Sequence, residues 1–217
     1  MVVDRRPTRS YQAGCLIDGP CEGGFVSIDV NMITMSPTDE EAGQYHRSGR
    51  GSKEWVHYPD PSTAPKPRTN YGYYKSVVDF GPENRNKMWN LLTAMRTSLA
   101  GDPRPAFLIL ARKDYKFSIP PGYFPKDIDW TKECEPSLLV KISDYKIPAN
   151  GRLAFQDMLE DAPFEDVLFS LSSSRTPRAP PSNFNMFTFN GDGIYPVQII
   201  KNDEGVVICV KVHFHSR

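Results

Sequence analysis

Alternation of apolar and polar side chains is the strongest pattern along this chain. After Gly23-Gly24, Val26, Ile28, Val30 and Met32 fall on one face and Ser27, Asp29 and Asn31 on the other, which predicts a half-buried strand in 25–35. Strands are likewise expected for YYKSVVDF (73–80), for the apolar run AFLILAR (106–112), for SLLVKISDY (137–145), where Leu138, Val140 and Ile142 alternate, and for NFNMFTFN (183–190). The clearest signal is a hairpin. IYPVQIIK and VVICVKVHFH flank Asn202-Asp203-Glu204-Gly205, a four-residue loop whose glycine suits positive φ. On its second arm Val206, Ile208, Val210, Val212 and Phe214 share one face; Val207, Cys209, Lys211, His213 and His215 share the other.

One segment carries a different period. Met88, Leu91, Leu92, Met95 and Leu99 recur at helical spacing after Gly81-Pro82-Glu83, and Gly101 and Pro103 provide a stop. This predicts a helix, with Trp89 flanking its buried stripe. FQDMLEDAPFEDVLFSLSSS (155–174) reads as one or two helical turns followed by either a strand or a second helix. The polar, glycine-punctuated stretch 36–70, with four prolines in PDPSTAPKPRTN, reads as a long loop favouring extended, polyproline-like chain. FSIPPGYFP (117–125) and SRTPRAPPS (174–182) read as proline-rich connectors. The expected fold is therefore α+β: a twisted, mostly antiparallel sheet with one or two packed helices and long proline-rich loops. Residues 1–70 read as an N-terminal arm and proline-rich linker containing one strand, and 71–217 as the globular α+β domain.

Composition narrows the classes. The 217 residues include 26 basic and 26 acidic side chains, so no excess positive charge is available for a phosphate backbone. Direct sequence-specific nucleic-acid binding is not expected. At 39% hydrophobic and 24% charged, the chain has material for one core and lacks the signature of wholesale disorder. No apolar run approaches the ~20 residues that cross a bilayer. MVVDRRPTRS has no basic-then-apolar leader, so the chain is expected not to be secreted. Of the four cysteines, Cys15 and Cys21 are spaced too widely for a zinc knuckle, and a reducing compartment disfavours a disulfide between them. Cys209, among valines, reads as a small buried residue.

The candidate chemistry is sparse. His213 and His215 share a strand face without a third metal ligand, so that face reads as solvated. His57 lies near Asp60 and Ser62, but a loop would not hold them in a catalytic geometry. GRGSK (49–53) lacks phosphate-loop spacing, and Asp192 in NGDG reads as a turn. No catalytic, cofactor or metal site is expected. The aromatic runs YGYY (71–74) and FNMFTF (184–189) could stack on bases only beside a cationic groove, and core packing fits them better. The proline-rich PDPSTAPKP reads either as a solvated tether or as a partner-docking segment, with Tyr58, Pro59, Pro61, Pro65 and Pro67 as its candidate contacts.

The order of features over 73–112 resembles the core of rhabdovirus matrix proteins. A strand YYKSVVDF leads into a segment carrying Trp89, then SLAGDPRPAFLILA supplies an Ala-Gly turn, an Arg-Pro and an Ile-Leu-Ala strand. The chain length, the proline-containing N-terminal region and the closing His213-Phe214 are similar too. Residues 1–70 depart from that family in being charge-balanced, and YPDP (58–61) and PSTAP (61–65) do not match its PPxY and P[ST]AP motifs. The resemblance implies a non-enzymatic viral structural protein of matrix type. Such a protein self-associates, bridges nucleocapsid and membrane surface, and is found in the virion after a cytoplasmic or nuclear stage. Another β-rich viral coat or shell protein, or a cytosolic binding module, is the alternative.

Overall fold

The computed structural model describes residues 21–29, 31–49, 51–67, 72–97, 103–115, 139–157, 183–188 and 191–214. They form twelve strands and two short 3₁₀ turns: β1 (Phe25–Ile28), β2 (Met32–Pro37), β3 (Gly43–Arg47), β4 (Val56–Tyr58), β5 (Tyr73–Asp79), β6 (Met88–Thr97), β7 (Pro103–Ala111), β8 (Leu139–Lys146), β9 (Arg152–Asp157), β10 (Phe184–Phe187), β11 (Gly193–Lys201) and β12 (Val207–His213), with turns at Pro61–Thr63 and Pro82–Asn84. The strands build two antiparallel six-stranded sheets, ordered β1-β11-β12-β7-β6-β8 and β10-β2-β9-β5-β3-β4. One hydrophobic cluster joins them. Val26, Leu91, Leu110, Val197 and Val212 of the first sheet pack with Ile33, Met35, Val78, Leu153 and Phe155 of the second. The architecture is a β-sandwich.

The chain changes sheets at Asn31, whose φ of 60° is a conformation asparagine tolerates. Val26 and Ile28 before it and Ile33 and Met35 after it are all buried, so the parity of the buried positions flips across the corner. The single strand expected for 25–35 is thus two strands in different sheets. The final hairpin closes as expected: Gly205 has φ 78°, and its amide and that of Val206 both bond to Asn202, at the carbonyl and the side-chain oxygen.

The expected α+β fold is overturned: among the described residues there is no α-helix, and the segment read as one is β6, paired on both sides in the first sheet, between β7 and the edge strand β8. Its apolar residues satisfy both periods. Trp89 and Leu91 point to the core at 1% and 0% exposure, and Thr93 is buried as well. Met88 and Leu92 on its other face are apolar too, so leucines and methionines fall at helical spacing although the strand's own alternation is unbroken. The irregularities at Leu91/Leu92 and Ala94/Met95 come from an extra residue in β8 (Ile142) and in β7 (Ala106). Pairing on both sides then overrides helix propensity. Pro82 begins only a one-turn 3₁₀ element, and Pro103 opens β7, a strand position proline tolerates.

Residues 36–70, read as loop, contribute the end of β2 and all of β3 and β4. Strands on either side of position 70 pair directly, β3 with β5. GQYHR and VHY are short and poor in aliphatics, which hid them. A third correction concerns the last strand. The face carrying Lys211 and His213, read as solvated, is buried, at 3% and 2% exposure. Cys209 is buried as expected, and Cys21 is disulfide-bonded. The expectations for 1–20, 117–125 and 158–182, and those for Cys15, Cys134 and His215, lie outside the described residues.

Candidate functional site

The densest grouping of functional side chains lies on the outer face of the second sheet, where β3, β4 and β5 run side by side. Register sets it: Tyr45 is opposite His57 on one side and Lys75 on the other, and Arg47 is opposite Tyr73. Trp55, just before β4, folds over this face. The Arg47 guanidinium carbon lies 4.8 Å from the ring centres of both Trp55 and Tyr73, and the Lys75 ammonium 4.8 Å from Trp55 and 4.9 Å from Tyr45. The His57 ring stacks on Tyr45 at 4.6 Å. Cations and aromatic rings therefore alternate in one ladder, Tyr73–Arg47–Trp55–Lys75–Tyr45–His57. Each cation–π contact contributes about 0.5–1 kcal/mol, and more where it is desolvated.

Acidic groups from the turn before β3 complete it. Glu40 bonds Lys75 at 2.5 Å, the Tyr45 hydroxyl donates to the Glu41 carbonyl at 3.0 Å, and His57 Nδ1 lies 3.8 Å from the Glu41 carboxylate. His57 Nε2 lies 3.0 Å from the Ala42 carbonyl, which selects the tautomer with a proton on Nε2. Burial raises the Tyr45 pKa above its ordinary value, reinforced by Glu40 and Glu41. On the opposite face, burial lowers the pKa of His46, whose ring meets Tyr74 at 4.8 Å. Arg47 supplies a cation to Tyr73 of YGYY from across the sheet. Tyr74 is core, as are Phe184 and Met186 of FNMFTF.

β4 closes this sheet and pairs only with β3 among the described strands. Val56 shares a face with His46 and is 52% exposed, the larger exposure of the two exposed large hydrophobics among the described residues. The facing sheet ends at β1, which lies against β5 and β9, and Gly24 just before it lies close to Gln44 of β3 and to Pro61. The five candidate contacts cluster here. Tyr58 ends β4 half-buried, Pro59 and Pro65 are exposed, and Pro61 and Pro67 are half-buried. The expected polyproline run is interrupted. Asp60 caps the Pro61–Thr63 turn by accepting the Ser62 amide at 2.9 Å, and this bond lowers its pKa. Only beyond it, at Ala64 (φ −66°, ψ 154°), does the chain turn polyproline-like. His57, Asp60 and Ser62 do not converge as acid, base and nucleophile: His57 is engaged with Ala42, and Asp60 with a backbone amide.

Trp55, Arg47, Lys75 and Tyr73 were not foreseen as a unit. Only strand register brings them together, and two of the strands were not recognised. Among the described residues, no group of three or more His, Cys, Asp or Glu side chains is placed to hold a metal. No described helix is long and apolar enough to cross a membrane. Comparison of the chain with protein-family models, curated proteins and solved structures finds no match.

Proposed function

We propose that this chain is a self-associating structural protein of the matrix type, as its resemblance over 73–112 implies, bridging nucleocapsid and membrane surface and doing no covalent chemistry. One observation supports self-association above the rest: the β4 edge carries the exposed Val56 with Tyr58 on its inner face, and on the outer face beside it Arg47 lies over both Trp55 and Tyr73. Tryptophan, tyrosine and arginine are the residues that most often dominate the energy of protein interfaces, and here the ladder holds them rigidly. A preorganised patch loses little side-chain entropy on docking. Repetition of a weak contact across many copies converts it into a stable layer.

Sedimentation velocity of the full chain over a range of concentrations is the test. Reversible oligomers at moderate salt are expected; a strict monomer at the highest soluble concentration overturns the proposal. Flotation with anionic vesicles then separates the matrix reading from a coat or shell protein. A matrix protein floats with the lipid, and a protein that forms closed particles without lipid does not.

A further inference from the structure

Resting on that self-association, we propose that two copies of the chain pair through β4, edge to edge and antiparallel, so that their second sheets join into one continuous sheet. An open strand edge presents unpaired backbone donors and acceptors, and another strand satisfies them best. The edges of this molecule are not alike. β8 is long but carries Lys141, Asp144 and Lys146 and a bulge, features that deter pairing. β1, β10 and β4 carry no Lys, Arg, Asp or Glu, and among the described side chains of these three β4 presents the exposed large hydrophobic, Val56.

The occupant is a second copy because the edge complements itself. Side chains alternate faces, so an antiparallel two-fold must pair residues of equal parity. Centring it on His57 is the register that uses all of β4. It sets Val56 against Tyr58 of the second copy on the inner face, and Trp55 against its Pro59 on the outer face. Beneath β3 the inner face is already covered, Gln44 being 1% exposed and lying close to Gly24 and Pro61, so the accessible inner-face contact is Val56 of β4, 52% exposed. A few residues a side cover far less than the ~800 Å² per partner typical of stable complexes. The contact is therefore weak in isolation, which suits a unit repeated in a layer and not a permanent dimer.

Three full-length variants test this: Val56→Lys, Met88→Lys as a control at the other exposed hydrophobic, and His57→Cys. Circular dichroism confirms the fold of each. Placing a cation on the edge is expected to weaken self-association by roughly tenfold, whereas Met88→Lys leaves it unchanged. Opposed residues of antiparallel strands have Cα atoms about 4.5–5.5 Å apart, within disulfide reach. His57→Cys should therefore cross-link to itself under mild oxidation that leaves the wild type uncrosslinked. If the wild type self-associates but Val56→Lys matches it, or folded His57→Cys fails to cross-link, the β4 pairing is overturned while the self-association reading stands. A wild type that never associates overturns both.

Discussion

His213 shows how much a single residue's setting can reverse. Its alternating position pointed to solvent, yet it lies 3.3 Å from the Gln198 carboxamide and edge-on to Phe107, with its pKa lowered to about 3 by burial and by the neighbouring Lys211 charge. Its unfolded value is near 6.5. Between these values the unfolded chain binds a proton that the folded chain refuses, so stability is full above about pH 6.5 and falls as pH drops. The decline from this group approaches ~1.4 kcal/mol per pH unit. Urea unfolding of His213→Gln should show a shallower loss than wild type from about pH 6 to about pH 4; equal slopes would mean that His213 already protonates in the fold. Gln44 is a second case. It is 1% exposed on the inner face of β3, and neither amide atom has a partner among the described residues. An apolar side chain of similar length removes that desolvation penalty, so Gln44→Met is expected to stabilise by about 1 kcal/mol. A lower melting temperature would reveal that the amide is satisfied by water. Neither setting is legible in sequence, because burial on both faces of a strand leaves no trace in the alternation of that strand alone.

At the scale of the element, legibility tracked how cleanly a segment carried one period. The closing hairpin, β5, β7 and β10 each had an apolar or alternating run bounded by turn residues, and each is a strand close to where it was expected. β6 failed because both of its faces carry apolar residues, Trp89 and Leu91 on one and Met88 and Leu92 on the other, so that leucines and methionines fall at helical spacing. β3 and β4 failed for a different reason. Their inward groups are Gln44, His46, Val56 and Tyr58, one valine among polar and aromatic side chains, and proline and glycine flank them. What fixes these two strands is the ladder above them, a tertiary feature. Trp55 bridges Arg47 and Lys75 and packs with Tyr45, Val77 and Ala154. Trp55→Ala removes both cation–π contacts and the ring's apolar burial, an expected loss of roughly 2–4 kcal/mol. Hydrogen exchange should then quicken over 43–58 while β7 and β12 stay protected. Uniform loss of protection would instead make the ladder part of the global core, not a local clasp.

Across the whole molecule, strands from distant parts of the chain share each sheet. β1 pairs with β11 and β2 with β10, so both sheets close only when the two halves of the chain meet. Such non-local pairing folds slowly and leaves edges exposed meanwhile. The native edges are then the places where assembly and aggregation compete. β1, β10 and β4 are kept to four residues or fewer, while β8 spans eight and relies on charge. Lys141 bonds Asp144 at 2.9 Å and Lys113 reaches the same carboxylate at 3.3 Å, leaving Lys146 opposite the exposed Met88. Lys146→Val replaces the charge with a β-branched residue and, beside Met88, creates an apolar stripe on a long edge. It is expected to raise light scattering at concentrations where the wild type scatters little, and adding Val56→Lys should not suppress it. The two substitutions act on opposite sheets, so their effects should be independent. If Val56→Lys did rescue Lys146→Val, the two edges would belong to one association surface, and the distinction between a productive edge at β4 and a guarded one at β8 would be lost.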